Sequence, residues 1–171
     1  MDQRWRWRWL AGFSVLWLAG LAGAQALNAP TGAPVLLISG KIGLRNSPAG
    51  AQFDMAMLEK LPQQSFTTAT PWDDQQVKFS GPLLRDVLAA VKATGGQMRA
   101  VAVNDYKVAI PLDDVRSLAV VLALRVNDRP IPPRTKGPLW VIYPFNNDKA
   151  LLAKKEFSDR SIWQVKAIEV D

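Results

Sequence analysis

From residue 35 onward the chain is a succession of short apolar runs cut by Gly, Pro, Asn and Asp. Val35 to Ser39 has the pattern of a buried strand ended by Gly40. Asp54 stands as N-cap to a short helix, Met55 to Leu61, closed before Pro62. Ser65 to Thr70 is β-prone until Pro71 breaks it, and Gln76 to Phe79 offers another short strand. The strongest helical stripe begins at Pro82, which suits a first helical turn, and runs through Leu83, Leu84, Val87, Leu88 and Val91 to Gly95-Gly96. Ala100 to Val103 and Tyr106 to Ile110 read as strands around a turn at Asn104-Asp105, and Asp113 to Ser117 as one helical turn. Ala119 to Val126 is almost continuously apolar and predicts an interior strand, turned by Asn127-Asp128. Pro130, Pro132 and Pro133 hold the next stretch extended. Leu139 to Tyr143 is a further strand, Lys149 to Phe157 a weak helix, and Ile162 to Val170 the terminal strand. Short strands with one good helix and no regular alternation predict a mixed α+β domain rather than a doubly wound parallel sheet.

The N-terminus follows a different logic. Arg4, Arg6 and Arg8 form a basic region, Leu10 to Gly23 an apolar run, and Ala24-Gln25-Ala26 a small-x-small box. That order predicts a cleaved secretory signal over residues 1–26, and the apolar run is short of the roughly 20 residues a membrane span needs. Residues 27–34, with Pro30, Gly32 and Pro34, read as a linker too poor in apolar residues to pack, and 35–171 as one domain. Removing Asp2 with the three arginines takes a net +2 from the chain's +6 and leaves +4. That suits an anionic ligand or merely a solvated surface, and no basic run of the kind a nucleic-acid groove needs is present.

Two absences restrict the chemistry. Without Cys there is no disulfide, thiolate nucleophile or iron–sulfur cluster; without His the usual Ser-His-acid triad, His-ligated haem and most catalytic zinc sites are excluded. Catalysis would have to use carboxylates, Lys, Tyr or an oxygen-ligated metal.

Three segments could carry a site. Thr67 to Asp74 places Trp72 at a strand-to-loop corner beside Asp73, where a carboxylate could take a cation or pair with an amidine-like ring edge. The alternative is an aromatic packed at the edge of the core beside a solvated turn. Arg134-Thr135-Lys136-Gly137 sets two cations around a glycine, so that positive charge and a free backbone N–H could hold a phosphate or carboxylate; snorkelling side chains on a loop explain the same residues. Asn104-Asp105-Tyr106 combines donor, acceptor and ring, or is simply a hairpin turn. Lys154, Lys155 and Arg160 could add charge to the same rim, whereas Trp140, Tyr143 and Trp163 read as core aromatics.

With Phe66 to Trp72, Phe79 to Leu88, Asn104-Asp105-Tyr106, Lys136 to Pro144 and Ser161-Ile162-Trp163 in this order, the chain resembles the molybdopterin-binding domain of the sulfite-oxidase family. The resemblance implies that fold from about Val35 to the C-terminus. It also implies a molybdenum-ligating cysteine near Thr70, and a hydroxyl is a poor substitute for a thiolate there. The family's cofactor-contacting histidines are missing, and the arginines of the signal are not paired as a twin-arginine signal requires. Loss of the cysteine resembles stand-alone periplasmic members that bind a reduced pterin and report it to the periplasmic part of a membrane diguanylate cyclase or phosphodiesterase. On that resemblance the expected protein is a non-enzymatic, periplasmic pterin-binding regulator that does not itself span the membrane, with the molybdenum cofactor disfavoured. Thr70 would be nearest the lost metal position, Trp72 would stack, and Asp73, Asn104 or Asp105, beside Tyr106, would meet the ring edge. Arg134, Lys136, Gly137 and Arg160 would serve the polar tail. Two other readings stay open: a molybdenum-cofactor oxidoreductase or an accessory to one, and an interaction module without a small ligand.

Overall fold

The computed structural model describes residues 26–147 and 154–171; the expected signal segment up to Gln25 and the start of the expected helix at Lys149 lie outside them. A five-stranded sheet is built from β1 (Leu36–Gly40), β2 (Ala51–Phe53), β5 (Gln97–Ala102), β6 (Lys107–Pro111) and β11 (Val165–Val170), in the order β2-β1-β11-β5-β6. Within it β1 runs parallel to β11 and the other pairs are antiparallel, so the sheet is mixed. A four-stranded antiparallel sheet contains β3 (Gln63–Thr70), β4 (Asp73–Pro82), β8 (Arg125–Val126) and β9 (Arg129–Pro130), and a two-stranded ribbon joins β7 (Val121–Ala123) to β10 (Trp140–Ile142). Four short helices, α1 (Met55–Lys60), α2 (Leu84–Ala90), α3 (Leu112–Ser117) and α4 (Lys155–Arg160), and a 3-10 turn at Phe145–Asn147 complete the described chain. The mixed α+β class expected from the sequence is what forms.

Local signals set several boundaries. Asp54 caps α1, its carboxylate accepting from the Met57 amide at 2.8 Å. Asn127 and Asp128 adopt φ of +48° and +65° in the turn from β8 to β9, a left-handed pair that Asn and Asp tolerate.

Several expectations need correction, because a tertiary partner decides the outcome. The strand expected over Gln76–Phe79 is ten residues long, since β3 pairs with it from Gln63↔Pro82 to Thr70↔Asp73. Pro82 therefore closes a strand, and the helix starts two residues later, after Leu83 in extended conformation, with the Leu84 amide donating to Val120 O at 2.9 Å. The apolar run Ala119–Val126 is not one strand: Val121–Ala123 pairs with β10, then Arg125–Val126 crosses to β4. The closing strand begins at Val165 rather than Ile162, behind Gln164 held at φ +52°. Of the helix expected over Lys149–Phe157, the described residues show Lys155–Arg160, and the expected start lies outside them.

Nor is the segment before residue 35 a loose linker. The Asp54 carboxylate takes the Thr31 and Gly32 amides at 2.8 and 2.7 Å, and Leu27 packs on the core.

The core lies between the sheets and the helices, with Phe53, Leu58, Phe79, Leu84, Leu122, Tyr143 and Ile168 fully enclosed. At Gly81 β4 passes tightly against the β7 ribbon: a Cβ there would collide with the Leu122 carbonyl oxygen. Gly81→Ala is expected to cost about 1–3 kcal/mol through this overpacking, read by urea unfolding.

The backbone amides of Gly32 and Met57 hold the Asp54 carboxyl below its ordinary value of 3.8. A carboxyl with a folded pKa below its unfolded one contributes stability that is complete above the unfolded pKa and is lost as pH falls through the folded one. Melting of the native protein should therefore fall as the pH is taken below about 4, and Asp54→Asn should flatten part of that acid limb. An acid limb unaltered in Asp54→Asn would show that the carboxylate is not held this way.

Candidate functional site

The turn between β3 and β4 puts Trp72 against three rings at one end of the molecule. Its ring centroid lies 5.9 Å from Trp140, 5.6 Å from Trp163 and 6.4 Å from Phe145. Trp72 and Trp163 stand nearly perpendicular, at 88°, so together they make a corner. Trp140 is buried behind them, its Nε1 donating to Ser161 O at 3.2 Å and its ring edge-on to Phe79 at 5.1 Å. Trp140 and Tyr143 are core aromatics as expected; Trp163 is not, being 37% exposed.

A hollow of about 290 Å3 opens in front of this corner. Trp72 and Trp163 line it with Asn104 and Tyr106 from the β5–β6 hairpin, and with Ser158 and Asp159 from the last turn of α4. Tyr106 is 52% exposed and forms the outer lip; its backbone N–H donates to Asn104 Oδ1 at 3.2 Å. A second hollow, of about 400 Å3, lies against Trp140 and is lined in part by Asp73, Lys136, Thr135 and Arg129.

The sequence-derived candidates are thus divided. Trp72, Asn104 and Tyr106 meet in the first hollow, whereas Asp73 and Lys136 line the second, with Lys136 Nζ 3.7 Å from Asp73 and 4.6 Å from the Trp140 ring centroid. Asp105, at φ +64°, turns to Lys166 Nζ at 2.7 Å, and this hydrogen bond and charge pull its carboxyl below the ordinary range. The N–H of Gly137, expected from the loop to be free, instead donates to Pro132 O at 3.0 Å. Arg134 stands exposed on that loop. Arg160 reaches inward: its Nη1 meets Asp114 Oδ2 at 2.8 Å, where the Tyr143 hydroxyl also donates at 3.0 Å. Burial and the adjacent Asp114 charge push the Tyr143 phenol far up, so it stays a donor.

Sequence reading missed Asp159, Ser158 and Asp114. The signal at Asp159 was its spacing from Lys155, which reads as an ordinary i,i+4 helix pair. Nothing local marks Asp114, whose partner Arg160 lies 46 residues away.

The fold and site define an α+β domain with an aromatic corner at the mouth of a small hollow. Residues 50–146 match the sequence family of the oxidoreductase molybdopterin binding domain, and the chain belongs to that family. The fold is similar to that in the crystal structure of the sulfane dehydrogenase SoxCD from Paracoccus pantotrophus, with a TM-score of 0.59 at 14% identity over 79% of this chain. The match spans only 37% of that protein's chain. No curated protein sequence matches significantly.

The residues present do not fit a molybdenum centre ligated by a protein thiolate. Thr70, nearest the place where the resemblance puts the ligating cysteine, is 7% exposed. Its hydroxyl donates to Asp73 Oδ2 at 3.1 Å and accepts from the Trp72 amide at 3.3 Å, so it is spent on the turn. The chain has no Cys or His to replace it, and among the described residues no three acidic groups converge as a metal site.

The Arg160–Asp114–Tyr143 contact ties α4, hence one wall of the first hollow, to α3 and to the residue that follows β10. Asp114→Ala is expected to destabilise the fold by about 2 kcal/mol, because it strands two partly buried donors at once. Chemical denaturation measures this, and a loss below about 0.5 kcal/mol, the range of ordinary surface substitutions, would mean that the contact does not brace the wall.

Proposed function

We propose that this protein is a non-catalytic, periplasmic pterin-binding protein, whose liganded form is read by the periplasmic domain of a membrane receptor controlling cyclic-di-GMP. The observation that carries the reading is the corner of Trp72 and Trp163 over a hollow edged by Asn104 and Asp159. A pterin is flat enough to pack on an indole, and its amino-pyrimidinone edge presents adjacent donors to a carboxylate or amide. Thr70, closed into its own turn, supports a role without metal-centred redox chemistry. Periplasmic location rests on the signal-like pattern of residues 1–26, and the link to a receptor on the resemblance to stand-alone members. A receptor can respond only if it binds the liganded and empty forms with different affinity.

Family membership supports a second reading, a molybdenum-cofactor oxidoreductase or an accessory to one. Mass spectrometry with elemental analysis of protein purified from its own periplasm separates the two. A pterin without molybdenum is the expected result; a molybdenum-bearing pyranopterin would overturn the proposal. If the domain is instead a ligand-free interaction module, no pterin will raise its melting temperature.

Under the proposal, a tetrahydropterin at a hundred times its Kd should add about 2.7 kcal/mol to stability, seen as a rise in Tm. Trp72→Ala should abolish that rise and, since Trp72 packs on Trp140 and Trp163, also lower the Tm of the empty protein. Trp72→Phe keeps a ring there and should retain binding. Unchanged affinity in Trp72→Ala would remove this residue from the site.

A further inference from the structure

We infer that Asp159 is the residue that decides which heterocycle the first hollow accepts: it selects rings that present two adjacent N–H donors over rings that present a carbonyl at the same place. The inference rests on the pterin reading above and deepens it, since the carboxylates singled out from the sequence, Asp73 and Asp105, both face elsewhere.

Charge comes first. Asp159 is the one charged side chain among the described residues lining the hollow. The cations around it are already engaged: Lys136 lies over the Trp140 and Trp163 rings beside Asp73, Arg160 is held by Asp114, Lys166 by Asp105, and Lys155 pairs with Asp159 itself. No cation lines the hollow to attract an anionic ligand, and a carboxylate lines it to attract donors.

The carboxylate is also accessible. Both oxygens of Asp159 accept from Lys155 Nζ at 2.7 Å, but the two side chains are 47% and 84% exposed. An exposed i,i+4 pair of this kind contributes little and is easily exchanged. A ligand edge with two parallel N–H groups can replace the single ammonium with a two-point contact, which fixes the ring's orientation as well as its affinity. The other polar groups fit that role less well. Ser161 Oγ already donates to Phe157 O at 2.9 Å, and Asn104 Oδ1 is held by the Tyr106 amide.

Size narrows the class further. About 290 Å3 is at the small end of the ~300–1,000 Å3 typical of small-molecule sites, enough for a bicyclic ring against the two indoles.

The test compares a dimethyl-tetrahydropterin with the matching dimethyl-tetrahydrolumazine, which has a carbonyl in place of the pterin amino group. Binding is followed anaerobically by quenching of tryptophan fluorescence in the native protein and in Asp159→Asn. The native protein should prefer the pterin by about ten-fold or more, because the lumazine carbonyl faces a carboxylate with no proton between them. Asp159→Asn, whose amide offers one donor and one acceptor, should reduce the preference to within roughly three-fold. An unchanged Tm of the empty variant, expected for an exposed side chain, makes this a loss at the ring edge rather than of the fold. Equal binding of the two rings by the native protein, or a preference that survives in Asp159→Asn, overturns the assignment while leaving the pterin site in place. If neither ring binds, the pterin function itself fails and this inference with it.

Discussion

A buried indole must find a partner for its N–H, and at Trp140 that requirement organises one whole end of the molecule. Trp140 sits on β10, is enclosed by Phe79 of β4, and donates to Ser161 O. Those contacts tie the two-stranded ribbon, the four-stranded sheet and the segment entering β11 together at one residue. A bridge from Trp140 to Trp163 then sets the position of the second indole, and Trp72 closes against both. The corner in front of the first hollow is therefore a consequence of core packing rather than an addition to it.

The same packing governs where charge goes. Lys136 is drawn over the Trp140 face and toward Asp73, and Arg160 is drawn under α4 by Asp114 and Tyr143. Loop sequences rich in Lys and Arg suggested an anion-binding rim, but an aromatic face and neighbouring carboxylates take Lys136 and Arg160 first, and Arg134 stands exposed on its loop. What remains at the first hollow is aromatic and acceptor-rich. The chain belongs to the oxidoreductase molybdopterin binding domain family and has no cysteine to supply a thiolate.

Elements whose determinants are local were legible in the sequence. The Asp54 cap, the β8–β9 turn at Asn127-Asp128 and the strand before Gly40 all follow from residues within a few positions of each other. Boundaries set by a distant partner were not. Nothing near Pro82 announces that Gln63 will keep it in a strand, and nothing in the apolar run Ala119–Val126 says that its two ends belong to different sheets. The site divides the same way. Trp72, Asn104 and Tyr106 stood out because ring and turn residues coincide at a corner. Asp159 did not, because its pairing with Lys155 is what any solvated helix face offers.

Under the proposed function, the hollow's mouth bears on how a bound ring would be sensed. Among the described residues the exposed large hydrophobic side chains are Val103, Tyr106 and Trp163. Tyr106 and Trp163 line the hollow, and Val103 lies on the same hairpin end, its amide bonded to Gln164 O at 2.9 Å. A rigid corner does not need to move to signal. A ring seated between Trp72 and the lip would extend this apolar edge with its own polar atoms, and a partner touching the edge would gain or lose contacts directly with the ligand. The differential affinity that any readout requires would then arise at the shared surface rather than through a conformational relay. The braced wall favours that route. Arg160, Asp114 and Tyr143 tie α4 to α3 and to the residue that follows β10, and Trp140 ties the segment before β11 to the core, so the elements around the hollow have little freedom to rearrange.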